Sequence, residues 1–71
     1  MTIKDLTEQF SIQGAYHIKA WNDVTETYIT IASGTDFEME YYVIENKCFD
    51  LKITYMYAVD GVLNIEVEYE I

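Results

Sequence analysis

The sequence contains no proline and no arginine, and it has only one cysteine, one histidine and three glycines. Because proline-rich and glycine-rich stretches are missing, no segment has the composition of a linker, and we expect one domain over residues 1–71. A single cysteine excludes an intrachain disulfide and fits a reducing cytoplasm. No stretch approaches the roughly 20 apolar residues that a membrane-spanning helix needs, so we expect a cytoplasmic protein without membrane contact.

Positive charge is equally scarce. Four lysines oppose thirteen Asp and Glu residues, which gives a net charge of −9. Phosphate binding needs cations, so this balance argues against nucleic acid as a direct ligand and favours a basic protein surface as partner. Acidity that only keeps a small domain soluble explains the same charge. The hydrophobic share of 51%, with seven tyrosines, is enough for a core and argues against disorder.

The most regular pattern lies at the end of the chain. Residues 51–71 alternate apolar and polar side chains on both sides of an Asp-Gly pair, which predicts a β-hairpin. A two-residue loop would place Tyr55 opposite Glu66, whereas a three-residue loop, 59–61, places it opposite Ile65. Residues opposite each other share a face, so burial favours the three-residue loop. That register also gives the pairs Tyr57–Leu63, Ile53–Val67, Leu51–Tyr69, Lys52–Glu68 and Thr54–Glu66.

The first half of the chain predicts a helix and another hairpin. Thr2 and Asp5 have the spacing of a capping box, and the apolar residues that follow recur at helical intervals. Two alternating stretches then flank the polar residues 23–26, which predict a four-residue loop. The loop gives the pairs Ile18–Ile31 and Ala20–Ile29 on the core face, and Trp21–Tyr28 and Lys19–Thr30 on the other face.

Residues 36–48 fit two structures. Apolar side chains at every second position from Phe37 fit a strand, whereas Phe37, Tyr41 and Ile44 have helical spacing. Acidic residues near the beginning favour a helix, which we predict over residues 38–48, with Thr35 and Glu38 as its capping box. The predicted class is α+β: a four-stranded antiparallel sheet from two β-hairpins, with short helices on one face, in the order α-β-β-α-β-β. If residues 37–44 form a strand instead of a helix, the sheet gains a fifth strand.

The sequence carries no motif for catalysis, for a cofactor or for a metal ion. It has no glycine-rich phosphate loop, no paired Cys and His at metal-ligand spacing, and no nucleophile motif around its serines. His17 is expected on the surface and Cys48 in the core. We therefore predict a protein that is not an enzyme and that uses no cofactor.

The candidate binding residues are acidic or aromatic. Carboxylates at alternate positions of the last strand form a row that resembles a nucleic-acid backbone, and a solvated acidic face explains them equally well. Trp21 beside Tyr28 is either a stabilising cross-strand pair or an interface anchor. The candidate partner-binding residues are Trp21, Tyr28, Asp36, Glu38, Glu40, Glu66, Glu68 and Glu70.

The two ends of the chain, TIKDL at residues 2–6 and ITYMYAVDGVLNIEV at residues 53–67, resemble short acidic proteins of phages and mobile elements of Gram-positive bacteria. The resemblance implies a bacterial host cell and an inhibitor of the anti-CRISPR or anti-restriction type. Such an inhibitor would occupy a basic surface of a nuclease or DNA-binding protein. The alternative is an assembly module that forms a homodimer through a sheet edge or through the Trp21–Tyr28 patch.

Overall fold

Two helices and two hairpins make up residues 1–69, the part of the chain that the computed structural model describes. The α+β class, the four strands and the predicted order of elements are confirmed. Neither helix is long and apolar enough to cross a bilayer. The elements are α1 (Ile3–Gln9), β1 (Tyr16–Asn22), β2 (Thr27–Gly34), α2 (Tyr41–Cys48), β3 (Ile53–Val59) and β4 (Val62–Val67).

The sheet is mixed, so the prediction of a purely antiparallel sheet is wrong. Its strand order is β2-β1-β4-β3, and the two central strands run parallel, with Ile18 of β1 opposite Ile65 of β4. Each hairpin fixes only its own antiparallel pairing, whereas α2 carries the chain from one edge of the sheet to the other. The central strands alternate apolar and polar side chains, a pattern typical of antiparallel sheets, so their sequence gives no sign of the parallel pairing.

Both helices pack on one face of the sheet, and the core lies between the helices and the sheet. Ile3 and Leu6 of α1 and Ile44 and Cys48 of α2 join the inward side chains of the central strands. Burying a side chain such as Ile stabilises the fold by about 1.5–3 kcal/mol. The buried core consists of Ile3, Leu6, Tyr16, Ile18, Ala20, Ala32, Phe37, Ile44, Cys48, Ile65 and Val67.

The first helix begins as predicted. Thr2 Oγ1 accepts a hydrogen bond from the Asp5 amide at 3.2 Å, and the Asp5 carboxylate accepts one from the Thr2 amide at 3.0 Å. Together they form a capping box, which satisfies two amides that a helix end leaves free. The residues before the helix also extend the sheet, because the Ile53 amide donates to the Met1 carbonyl at 2.7 Å.

The first hairpin keeps the predicted register beside its turn and departs from it further along. Trp21 lies opposite Tyr28 and Ala20 opposite Ile29, with a four-residue loop between the strands. The register then shifts, so Ile18 lies opposite Ala32 and not opposite Ile31. A bulge inserts one residue without a partner and leaves no simple mark in an alternating pattern.

The second hairpin has a two-residue turn, so the predicted three-residue loop is wrong. Val59 lies opposite Val62 and Tyr55 opposite Glu66. Asp60 and Gly61 have positive φ values of 51° and 76°, which is the type I′ pattern that Asp-Gly favours. A register shift between Ile53 and Tyr55 then restores the predicted Ile53–Val67 pair.

This bulge decides which side chains of β3 face which way. Between the turn and the bulge, Tyr55 and Tyr57 share the face of Glu66 and Asn64, away from the helices. Met56 and Ala58 share the face of Ile65 and Leu63.

The second helix confirms the choice of helix over strand, but it begins at Tyr41 and not at residue 38. Turns occupy residues 37–40, and Phe37 packs edge-on against Tyr16 with ring centroids 5.3 Å apart.

Candidate partner-binding face

The sheet face opposite the helices, called the outer face below, has no covering element within residues 1–69. Four aromatic side chains lie on it. Trp21 is 47% exposed, Tyr28 48%, Tyr55 68% and Tyr57 39%. Tyrosine and tryptophan are the residue types that most often anchor protein interfaces, because their large rings desolvate while a polar end keeps a hydrogen bond.

Lys19 lies at the centre of this face. Its Nζ atom is 4.5 Å from the ring centroid of Tyr28 and 5.2 Å from that of Tyr57, distances typical of cation–π contacts. The Tyr57 hydroxyl is the main cause that raises the pKa of Lys19, and the negative charge of Glu66 contributes. Lys19 therefore remains charged at neutral pH, and its ammonium group lies near the rings of Tyr28 and Tyr57.

Glu66 joins the same cluster from β4. Its carboxylate accepts a hydrogen bond from the Tyr28 hydroxyl at 3.0 Å, and this bond is the main cause that raises the pKa of Tyr28. Trp21 packs edge-on against Tyr28, with centroids 5.0 Å apart at 72°. We call Lys19, Trp21, Tyr28, Tyr57 and Glu66 the outer-face cluster.

Glu68 lies beside the outer-face cluster, near the end of the described chain. Its amide donates to the Lys52 carbonyl at 2.9 Å, and its side chain is exposed. Trp21, Glu66 and Glu68 line a common shallow cleft. Glu70, the last member of the predicted acidic row, lies outside the described residues. The structure thus brings together Trp21, Tyr28, Glu66 and Glu68, and it places a lysine and tyrosines among the carboxylates.

Asp36, Glu38 and Glu40 lie elsewhere, in the connection that leads into α2 on the helical side of the sheet. The Glu40 carboxylate accepts hydrogen bonds from the amides of Thr35 at 3.1 Å and Asp36 at 3.0 Å. Asp36 accepts one from the Met39 amide at 3.2 Å. The predicted capping box of Thr35 and Glu38 is therefore wrong, because Glu40 holds the amides of this turn.

Glycine at position 34 lets the Glu40 carboxylate lie close to the backbone. A Cβ atom there would collide with the Glu40 carboxylate, which folds back over the backbone. Asp36 and Glu40 thus have structural partners within the turn, while Glu38 is exposed.

Sequence reasoning placed Lys19 on this face correctly, opposite Thr30, but it did not find Tyr55 and Tyr57 as parts of it. The three-residue loop would have placed both tyrosines in the core, whereas the observed turn places them outside. The Asp60-Gly61 pair would have indicated the outward position of both tyrosines, because Asp-Gly strongly prefers a two-residue type I′ turn.

Within residues 1–69, no group of three or more His, Cys, Asp or Glu side chains is arranged to hold a metal ion. Burial raises the pKa of the Cys48 thiol to about 11, so it stays protonated. His17 lies on the outer face with Nε2 2.9 Å from Thr30 Oγ1. No family model, curated protein or solved structure matches the chain.

Proposed function

We propose that the protein is a non-enzymatic inhibitor that covers a basic surface of a nucleic-acid-binding host protein, as expected of an anti-CRISPR or anti-restriction protein from a phage or mobile element. The observation that carries the proposal is the outer face itself. It presents exposed aromatic anchors and carboxylates on a chain whose net charge is −9. The partner we infer is a nuclease or DNA-binding protein, whose positive groove is complementary to this charge.

Charge and aromatic contacts have different tasks in this proposal. Asp36, Glu38 and Glu40 lie on the helical side and Glu66 and Glu68 on the outer side, so the negative field surrounds the molecule. A field of this kind accelerates association with a basic partner and weakens as salt is added. The outer-face cluster supplies the contact itself, because buried aromatic side chains carry most of the energy of an interface.

Exposed aromatics on a four-stranded sheet also suit single-stranded RNA, whose bases stack on them. Such sites add a positively charged groove that follows the phosphates. Here the outer-face cluster has one lysine, whose ammonium group contacts Tyr28 and Tyr57 and which lies next to Glu66. The charge therefore favours a protein partner over nucleic acid.

The test is retention of a nuclease or DNA-binding protein from host lysate, followed by titration of the purified pair. We expect binding at low salt, at least tenfold weaker binding at high salt, and at least tenfold weaker binding for Trp21→Ala. Tyr42→Ala is the matched control, because Tyr42 is 65% exposed on α2 and lies on the helical side. The proposal is abandoned if no nucleic-acid-binding protein is retained at low salt.

A further inference from the structure

One edge of the sheet is open for most of its length. On the side of β3 away from β4, the N-terminal residues pair only at its beginning, where Thr2 bridges Lys52 and Ile53 donates to Met1. Beyond that point no strand within residues 1–69 pairs with this side of β3. Residues 54–59 are therefore the free edge, which is the name used below.

The direction of the backbone groups on the free edge follows from the neighbouring strands. The Leu63 amide donates to the Ala15 carbonyl at 3.0 Å, so it points toward β1 and away from β3. Ala58, opposite Leu63, therefore directs its own N–H and C=O outward, since these groups alternate along an antiparallel strand. By the same alternation Met56 directs its N–H and C=O outward as well.

Beyond the bulge at Thr54, the free edge lacks the features that usually prevent strands from associating. Residues 54–59 read TYMYAV and contain neither a charged residue nor proline, and all six side chains are exposed. Natural edge strands are generally protected by lysine, proline, bulges or a covering segment. The opposite edge strand, β2, is interrupted by a bulge and contacts α2. An uncharged, uncovered edge of this kind is best matched by a strand that is equally free of charge.

We propose that the free edge pairs antiparallel with the free edge of a second copy, joining two four-stranded sheets into one. A twofold axis at Tyr57 places Met56 opposite Ala58 of the second copy, and Ala58 opposite Met56 of the second copy. These residues hold the outward N–H and C=O groups, so the two pairs form the hydrogen bonds of a regular antiparallel ladder. On the outer face Tyr57 meets Tyr57 of the second copy, and the two aromatic faces become continuous.

Charges at the two ends of β3 are complementary between two copies that pair in the antiparallel direction. Lys52 precedes β3 and Asp60 follows it. An antiparallel pair brings the lysine end of one copy beside the aspartate end of the other, twice, whereas a parallel pair would bring like charges together. Two copies of this acidic chain repel each other. No charged side chain lies within the paired stretch, so this repulsion comes from the rest of each molecule, and salt screens it. Self-association should therefore tighten with salt, whereas binding to a basic partner weakens.

Analytical ultracentrifugation of the intact chain at low and high salt tests the association. We expect a concentration-dependent dimer that is tighter at high salt. Met56→Lys should weaken it at least tenfold by placing a charge on the free edge, and Ala58→Pro should do the same by removing an outward N–H. Tyr42→Lys, with the same charge change on α2, should not weaken it. A chain that stays monomeric at both salts overturns the proposal, and so does a dimer lost in Trp21→Ala but kept in Met56→Lys.

Cross-linking tests the register independently. Residues 57 of the two copies face each other as a non-hydrogen-bonded pair with Cα atoms about 4.5 Å apart, which is within disulfide range. Tyr57→Cys should therefore give a covalent dimer on mild oxidation. Tyr55→Cys should give far less, because residue 55 lies opposite residue 59. Equal cross-linking of both variants would contradict the register. Neither test depends on an inhibitory function.

Discussion

β1 and β3 have similar alternating sequences but very different surroundings. In β1, Tyr16, Ile18 and Ala20 are buried and the residues between them are less buried, as alternation predicts. In β3 only Ile53 is partly buried and every later residue is exposed. β1 lies second in the sheet beneath the helices, whereas β3 lies at its edge. Alternation therefore indicates a strand, but the position in the sheet decides whether either face is covered.

The largest expected effect comes from comparing a buried residue of β1 with an exposed residue of β3. Ile18 is fully buried and lies opposite Ile65 in the centre of the sheet. Ile18→Ala should lower the free energy of unfolding by roughly 2–5 kcal/mol, because it removes buried methyl groups and leaves a cavity. Met56→Ala in β3 should cost less than about 1 kcal/mol, because its side chain is half exposed.

Urea denaturation followed by circular dichroism measures both values, at a protein concentration where the chain is monomeric. Similar losses for the two variants would mean that β3 is covered in solution to the same extent as β1.

The turns of the two hairpins provide the next comparison. Gly61 has a φ of 76° in the second turn, whereas in the first a glutamate, Glu26, has a φ of 55°. A side chain in the left-handed region costs roughly 1–2 kcal/mol. Gly61→Val should therefore destabilise the protein by about that amount, and Glu26→Gly should stabilise it by up to about 1 kcal/mol.

Thermal unfolding of Gly61→Val and Glu26→Gly shows whether each substitution stabilises or destabilises the protein. A neutral Gly61→Val would contradict the left-handed backbone of residue 61, which the observed two-residue turn requires.

The second hairpin also shows how far sequence reasoning reaches. The alternating pattern found both strands and the Ile53–Val67 pair, because buried apolar side chains must meet on one face. It failed beside the turn, where the Asp-Gly preference for a type I′ turn outweighs burial of Tyr55 and Tyr57. Those tyrosines have a polar end and lie on an exposed face, so leaving them outside costs little.

The candidate face was predictable only in part. Trp21 and Tyr28 are neighbours within one hairpin, so local pairing was enough to place them together. Glu66 reaches Tyr28 only because β4 runs beside β1, and this pairing depends on how the two hairpins meet. No local pattern specifies that choice. The same limit explains why the acidic residues of the two halves lie on opposite sides of the sheet.

The two helix starts give the smallest expected effect. α1 begins with the Thr2–Asp5 capping box, whereas Glu40, the residue before α2, makes no side-chain cap hydrogen bond. The hydrogen bond from the Thr2 amide is the main cause that lowers the pKa of Asp5. A carboxyl whose pKa is lower in the folded state stabilises the fold above its unfolded pKa, about 4. This contribution disappears as the pH falls through the folded value.

Asp5→Asn should therefore reduce stability at neutral pH and flatten the loss of stability below about pH 4. Glu8→Gln removes the same charge from an exposed position of the same helix, and it should leave the slope closer to that of the unmodified chain. Urea midpoints measured from pH 7 to pH 2 separate the two variants. Equal slopes for the two would assign the acid sensitivity to the overall charge of the molecule and not to the capping box, because both substitutions change that charge by the same amount.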